Sequence, residues 1–161
     1  MQTGAVKGIL HAPRLNARSC PAKGQKNKEV PLMKHLVSPL DFSVPELESL
    51  LALGEKIMDN PEQYAHCCAG KKLATLFFEP STRTRLSFEA AMLDLGGSVL
   101  SVSSAASSSA SKGESIAGTM RIVGNYADVI AMRHYQEGAA AQAVRYALCP
   151  VINAGDGGHL H

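Results

Sequence analysis

The apolar positions of this chain change their spacing along its length, and each change marks an element. Leu47, Leu50, Leu51, Ile57 and Met58 fall on one face at helical spacing. Ser43-Val44-Pro45-Glu46, just before them, has the form of a capping box with Pro near the first turn. Asn60-Pro61 stops that helix. Residues 72–78 form a short continuous apolar run, which predicts a buried strand broken at Pro80-Ser81. Residues 82–95 read as a helix with Ser81 as N-cap and Gly96-Gly97 as exit. Residues 98–102 read as a second strand. Residues 101–111 are rich in Ser and Ala, the composition of a flexible linker. Ser111-Lys112-Gly113-Glu114 offers another capping box, opening a helix to about Tyr126 that Gly118 and Gly124 weaken. A third strand at residues 128–132, an Ala-rich helix at 137–148, a fourth strand at 150–153 and a turn at 155–158 complete the pattern.

Strands that alternate with helices predict an α/β fold: a doubly wound parallel sheet of about four strands, with helices on both faces, in a single domain. Ligands of such sheets bind beyond the carboxyl ends of the strands. That rule selects four loops, at residues 79–85, 103–112, 133–136 and 154–161. They hold nearly every chemically interesting residue of the chain.

Composition narrows the class. At 161 residues, with 45% hydrophobic and 19% charged residues, the chain suits one soluble domain with a real core. It has no Trp and few aromatics, so surfaces for stacking bases are scarce. A net charge of +2 favours neither nucleic acid nor membrane as a partner. No apolar run reaches the ~18 residues that a membrane-spanning helix needs. Cys20, Cys67, Cys68 and Cys149 form no Cys-x-x-Cys pair and no zinc spacing, so reduced cytosolic thiols without a metal are expected.

The charge is unevenly placed. Residues 1–32 carry Lys7, Arg14, Arg18, Lys23, Lys26 and Lys28 against Glu29 alone. From Met33 onward 10 basic residues face 13 acidic ones. The expected organisation is therefore a basic leader at 1–32 and a folded domain at 33–161. The leader lacks the continuous apolar stretch of a secretory signal. It reads as an expression scar or as translated sequence upstream of a start at Met33, with a transit-like peptide as the alternative.

The densest chemistry lies in Ser81-Thr82-Arg83-Thr84-Arg85, where a strand feeds a helix. A helix N-terminus presents free N–H groups and the positive end of a dipole. Guanidinium forks match phosphate oxygens, and hydroxyls donate to the same oxygens. The expected ligand is a compact phosphate or phosphate ester; the alternative is a plain capped helix with two surface arginines. Neither Gly-x-x-x-x-Gly-Lys-Ser/Thr nor Gly-x-Gly-x-x-Gly occurs, so neither a nucleotide P-loop nor a dinucleotide fingerprint is present.

The run from Phe77 to Glu89, Phe-Phe-Glu-Pro-Ser-Thr-Arg-Thr-Arg-Leu-Ser-Phe-Glu, resembles the signature of the aspartate and ornithine carbamoyltransferases. The resemblance extends from about Met33 to His161 and includes three further motifs in order. It implies the doubly wound half that binds carbamoyl phosphate, with Ser81, Thr82, Arg83 and Thr84 holding the phosphate and the carbamoyl oxygen. Arg85 resembles a neighbouring arginine with a structural role, consistent with a salt bridge to an acidic residue. The stretch 107–114 resembles the mobile serine-lysine loop that reaches the active site of the next subunit of a trimer, with Ser108 and Lys112 as the substrate contacts. Read without the resemblance, it is a solvated linker.

Arg133 matches an arginine that binds phosphate and the carbamoyl oxygen. His134 reads as a packed or hydrogen-bonded residue, and Tyr135 stands where the family usually has Pro. Glu137-Gly138-Ala139-Ala140 favours the aspartate branch over the ornithine branch. The stretch 153–161 resembles the loop of the catalytic histidine, which aligns with His161, His159 being the rival. The implied reaction moves the carbamoyl group from carbamoyl phosphate to the amino group of L-aspartate, in the cytoplasm, for pyrimidine synthesis. Catalysis falls to Arg83, Thr84, Arg133 and His161, with no cofactor and no metal. The aspartate carboxylates are expected to bind a second domain that follows in the family. Alternatives are the corresponding half of an ornithine enzyme and a non-catalytic phosphate-binding module.

Overall fold

The structure, a computed structural model, describes residues 34–103 and 115–158. The basic leader, the Ser108/Lys112 loop and His161 lie outside the described residues, as does the capping box expected at Ser111.

A 3-10 turn at Pro39–Asp41 leads into helix α1 (Val44–Asp59). The expected N-terminal box forms: the Glu46 carboxylate accepts from both the backbone N–H and the hydroxyl of Ser43 at 2.8 Å. The apolar face of α1 is only partly covered among the described residues: Leu47 and Ile57 are half-buried, and Leu50, Leu51 and Met58 are exposed. Leu51 is 71% exposed and Met58 81%. After Asn60 a single turn, α2 (Pro61–Tyr64), brings the chain to the sheet.

Strand β1 (Lys72–Phe77) is buried except at its first residue, as a continuous apolar run requires. Helix α3 (Thr82–Asp94) and strand β2 (Ser98–Ser103) follow. Helix α4 (Ile116–Val123) leads to β3 (Val129–His134), and α5 (Ala139–Val144) to β4 (Val151–Asp156). All four strands are parallel, in the order β2-β1-β3-β4.

Each face of the sheet carries its own core. Ala74 and Leu76 of β1, with Ile130 and Met132 of β3, meet Met120 of α4 and Ala139 and Ala143 of α5. Their strand neighbours Leu73 and Ala131 point the other way, onto Met92 and Phe88 of α3. Thus α4 and α5 cover one face and α3 covers the other, the doubly wound arrangement.

Several element ends differ from expectation for local reasons. Helix α4 begins at Ile116, and its cap is Ser115, whose hydroxyl accepts from the Gly118 N–H at 3.2 Å. Helix α5 is shorter than 137–148. Gly138 before it sits at φ 77 with its N–H committed to Asp156, which fixes the start. The N–H groups of Arg145, Tyr146 and Ala147 bond three residues back, the tighter pattern in which helices end. Strand β4 runs through the Gly155-Asp156 text that looked like a turn. A segment before α1 also joins the sheet: Leu36 donates to the Val151 carbonyl and accepts from the Asn153 N–H, both at 2.8 Å, as a parallel bridge beside β4.

Candidate functional site

Strand order reverses between β1 and β3. From β1 the chain crosses to β2 on one side, and from β3 to β4 on the other. Two neighbouring strands whose continuations part in this way leave a crevice at their carboxyl ends. A cavity of about 230 Å³ lies at the end of β1, lined by Phe77, Phe78, Glu79, Pro80, Ser81, Thr82 and Arg85.

The first turn of α3 forms one wall. Ser81 occupies the N-cap position, yet its hydroxyl makes no capping bond, so it is not consumed in holding the helix. The first helical bond runs from the Arg85 N–H to the Ser81 carbonyl at 3.2 Å. The N–H groups of Thr82, Arg83 and Thr84 therefore have no partner four residues back. No acidic residue stands in this turn to neutralise the dipole.

The two arginines of the turn behave differently. Arg85 is held by Glu89 one turn on, at 3.8 Å, and Glu89 also accepts from the buried Thr75 hydroxyl at 2.8 Å. This chain of contacts ties the start of α3 to the middle of β1, as the structural reading of Arg85 expected. Arg83 is exposed and enters no ion pair among the described residues.

Arg133, near the end of β3, reaches the cavity's edge through Glu79, one of its lining residues. Its backbone carbonyl accepts from the Phe78 N–H at 2.8 Å, so the two strand ends stay joined up to the crevice. Its guanidinium donates to the Ala154 carbonyl at 3.2 Å and lies 3.5 Å from the Glu79 carboxylate. Beneath it is Gly155, at φ 124. A Cβ there would stand 2.8 Å from Nη1 of Arg133, so only glycine admits the side chain in this seat.

His134 is buried, stacked on Tyr135 and tilted against Phe78. Burial pushes its imidazole pKa down. The neutral ring fits its hydrogen bond, in which Nδ1 accepts from the Gln136 N–H at 2.9 Å. It packs rather than faces the crevice, as expected.

The sequence-predicted residues thus fall in two groups. Ser81, Thr82, Arg83 and Thr84 share one helix turn, and Arg133 ends the adjacent strand. Ser108, Lys112 and His161 are outside the described residues. Sequence reasoning gave no role to Glu79 and Gly155, which stand beside the Arg133 side chain, or to Asn153 and Asp156, which flank Gly155 on β4. The available signal was position for Glu79, Gly155 and Asp156, which lie in loops selected by the strand-end rule, whereas Asn153 was read as the last residue of the fourth strand.

Residues 34–161 match the family described as aspartate/ornithine carbamoyltransferase, carbamoyl-P binding domain. The chain belongs to the aspartate/ornithine carbamoyltransferase family. Among members of this carbamoyltransferase family, the aspartate carbamoyltransferase catalytic subunit of Lachnoclostridium phytofermentans is 67% identical over 129 residues, 80% of this chain and 42% of the relative. That of Clostridium novyi is 60% identical over 128 residues, with the same coverage. The catalytic subunit of M. jannaschii aspartate transcarbamoylase superposes with a TM-score of 0.72 at 47% identity, covering 76% of this chain and 42% of that one. The Trypanosoma cruzi aspartate transcarbamoylase in complex with carbamoyl phosphate and aspartate gives 0.71 at 36% identity, covering 78% and 42%. The chain therefore spans about two fifths of the length of the carbamoyltransferases it matches.

Proposed function

We propose that this chain is the carbamoyl phosphate half of an aspartate carbamoyltransferase, with a folded domain at 33–161 preceded by a separate leader. The observation that carries the reading is the convergence at the switch point. A helix N-terminus with spare hydroxyls and N–H groups and an arginine of the neighbouring strand stand at the carboxyl ends of the same two strands, joined through Glu79. The names of the relatives favour aspartate over ornithine as the acceptor.

In the proposed reaction the aspartate amine attacks the carbonyl carbon of carbamoyl phosphate. The tetrahedral intermediate collapses, the C–O bond to phosphate breaks, and the amine loses a proton to give N-carbamoyl-L-aspartate and phosphate. Ser81, Thr82 and the first-turn N–H groups cradle the phosphate. Arg83 and Arg133 offset its charge, and Thr84 and Arg133 donate to the carbonyl oxygen as negative charge builds there. His161 adds a donor to that oxygen, and Ser108 and Lys112 enter from a neighbouring subunit of a homotrimer. The full enzyme works in the cytoplasm, and aspartate binds in the part of the relatives this chain does not span.

Calorimetric titration of the purified chain with inorganic phosphate or carbamoyl phosphate tests the binding half of the proposal. Saturable binding is expected. Arg83→Ala should weaken it by about tenfold or more, since a charge-assisted hydrogen bond contributes roughly 1.5–3 kcal/mol. No binding of either anion would overturn the reading. Adding aspartate to the chain alone should yield little N-carbamoyl-aspartate; substantial turnover would overturn the division of labour between two halves.

A further inference from the structure

Arg133 faces an irregularity in the sheet. On β3 and β4, Met132 pairs with Asn153 and His134 with Asp156. One residue, Arg133, therefore opposes two, Ala154 and Gly155. A bulge of this kind bends its strand and re-aims the side chains beside it. Here it forms the seat of the arginine: the Ala154 carbonyl accepts from the guanidinium, and Gly155 leaves room for it.

Two side chains bracket the bulge. Asn153, at its start, accepts from the Gly155 N–H at 2.9 Å through Oδ1. Through Nδ2 it donates to Oδ1 of Asp156 at 3.2 Å and to the Val37 carbonyl at 3.1 Å. Asp156, at the other end, is 2% exposed. Its second oxygen accepts from the Gly138 N–H at 3.0 Å and so pins the loop that follows Arg133. Without these bonds the bulge N–H at Gly155 loses its acceptor and the loop after β3 loses its anchor. A regular ladder would then compete with the bulge, and a one-residue slip turns side chains to the opposite face.

We propose that Asn153 and Asp156 are positioning residues: bonded to each other across the bulge, they hold the seat that aims the Arg133 guanidinium at the phosphate and carbonyl oxygen. The role in catalysis rests on the function proposed above, while the immobilisation of Arg133 does not. Asp156→Asn is the informative change. A carboxylate accepts from both Gly138 and Asn153, whereas an amide of the same size offers one acceptor oxygen and turns a donor toward the other partner.

The test is nitrogen-15 relaxation of the arginine Nε–H groups in the whole chain, with the Arg133 resonance assigned by Arg133→Lys. In the parent, Arg133 is expected to be as rigid as the backbone, and Arg83 mobile. Asp156→Asn and the gentler Asn153→Ser should each mobilise Arg133, leave Arg83 unchanged and preserve the dispersed amide spectrum. Inorganic phosphate should shift the Arg133 signal in the parent. Its affinity should fall about tenfold in both variants, the scale of loss when a binding group is misplaced. An Arg133 that stays rigid and binds phosphate normally in Asn153→Ser overturns the proposal, even if Asp156→Asn fails to fold. A parent chain that ignores phosphate refutes the proposed function instead, and the relaxation comparison still decides the positioning role.

Discussion

Among individual residues, the division of labour between Arg83 and Arg85 shows what a local pattern conveys. Five residues of hydroxyls and guanidiniums at a strand-to-helix step already point to an anion, because that chemistry is local to one turn. The partner of Arg85 is one helical turn away and equally local. Glu79 and Arg133 were not readable as a pair, because 54 positions separate them in the sequence and only the pairing of β1 with β3 joins their ends. Cys149 gives a prediction at this scale. It is 6% exposed, and burial, with a smaller contribution from Asp128, pushes its thiol up to about 11 from an ordinary value near 9. A raised folded-state pKa means that the fold favours the protonated form. Its contribution is fully present below pH 9 and is lost as pH rises through 11. Two pKa units correspond to about 2–3 kcal/mol of lost stability. Urea midpoints at pH 8 and pH 10.5 should therefore drop further in the parent than in Cys149→Ala, whatever the starting stability of the variant. Equal drops would contradict the assignment.

For elements, the strands and both ends of α1 and α3 were legible, while the ends of α5 and the far end of β4 were not. β1 announces itself because a strand buried on both faces needs an uninterrupted apolar run. Helix α5 was overestimated because Ala-rich text carries no stop signal, while its true start is set by Gly138 bonding to a carboxylate on another strand. The bulge was hidden for the same reason, since Gly155-Asp156 has turn composition and only the opposing β3 makes it part of a ladder. Helix α4 offers a quantitative check. Met120 is 1% exposed and joins the core above β1 and β3, whereas Leu93 on α3 is 58% exposed. Met120→Ala should cost roughly 2–4 kcal/mol in urea unfolding, through lost burial and the cavity left behind. Leu93→Ala should stay within about 0.5 kcal/mol. Similar costs for the two would mean that α4 is not held as described.

Over the whole molecule, alternation of strands and helices was enough to predict a parallel, doubly wound sheet. The right-handed rule for crossovers then places helices on both faces. The position of the site followed from topology more than from any single motif, because the crevice exists wherever the strand order reverses. Alternation could not reveal the bridge at Leu36, since one residue pair leaves no periodic trace. Its environment is nevertheless well built: the Val151 N–H also lies 3.2 Å from Nδ1 of His35, and Asn153 holds the Val37 carbonyl. Deleting residues 34–37 should therefore lower the melting temperature by several degrees and raise light scattering on mild heating, since an uncovered strand edge pairs with other chains. An unchanged melt would show that the bridge contributes nothing.

That bridge also bears on the order of events when the chain is made. Leu36 leaves the ribosome long before Val151, its partner in β4. The Leu36 segment must wait, unmatched, while the 114 residues between them are synthesised. Local pieces such as α1 or the β1-α3-β2 unit can form earlier, but the β4 edge cannot be sealed until translation has passed residue 153. A pause in translation just before β4 would lengthen the time for which the Leu36 segment stays unpaired.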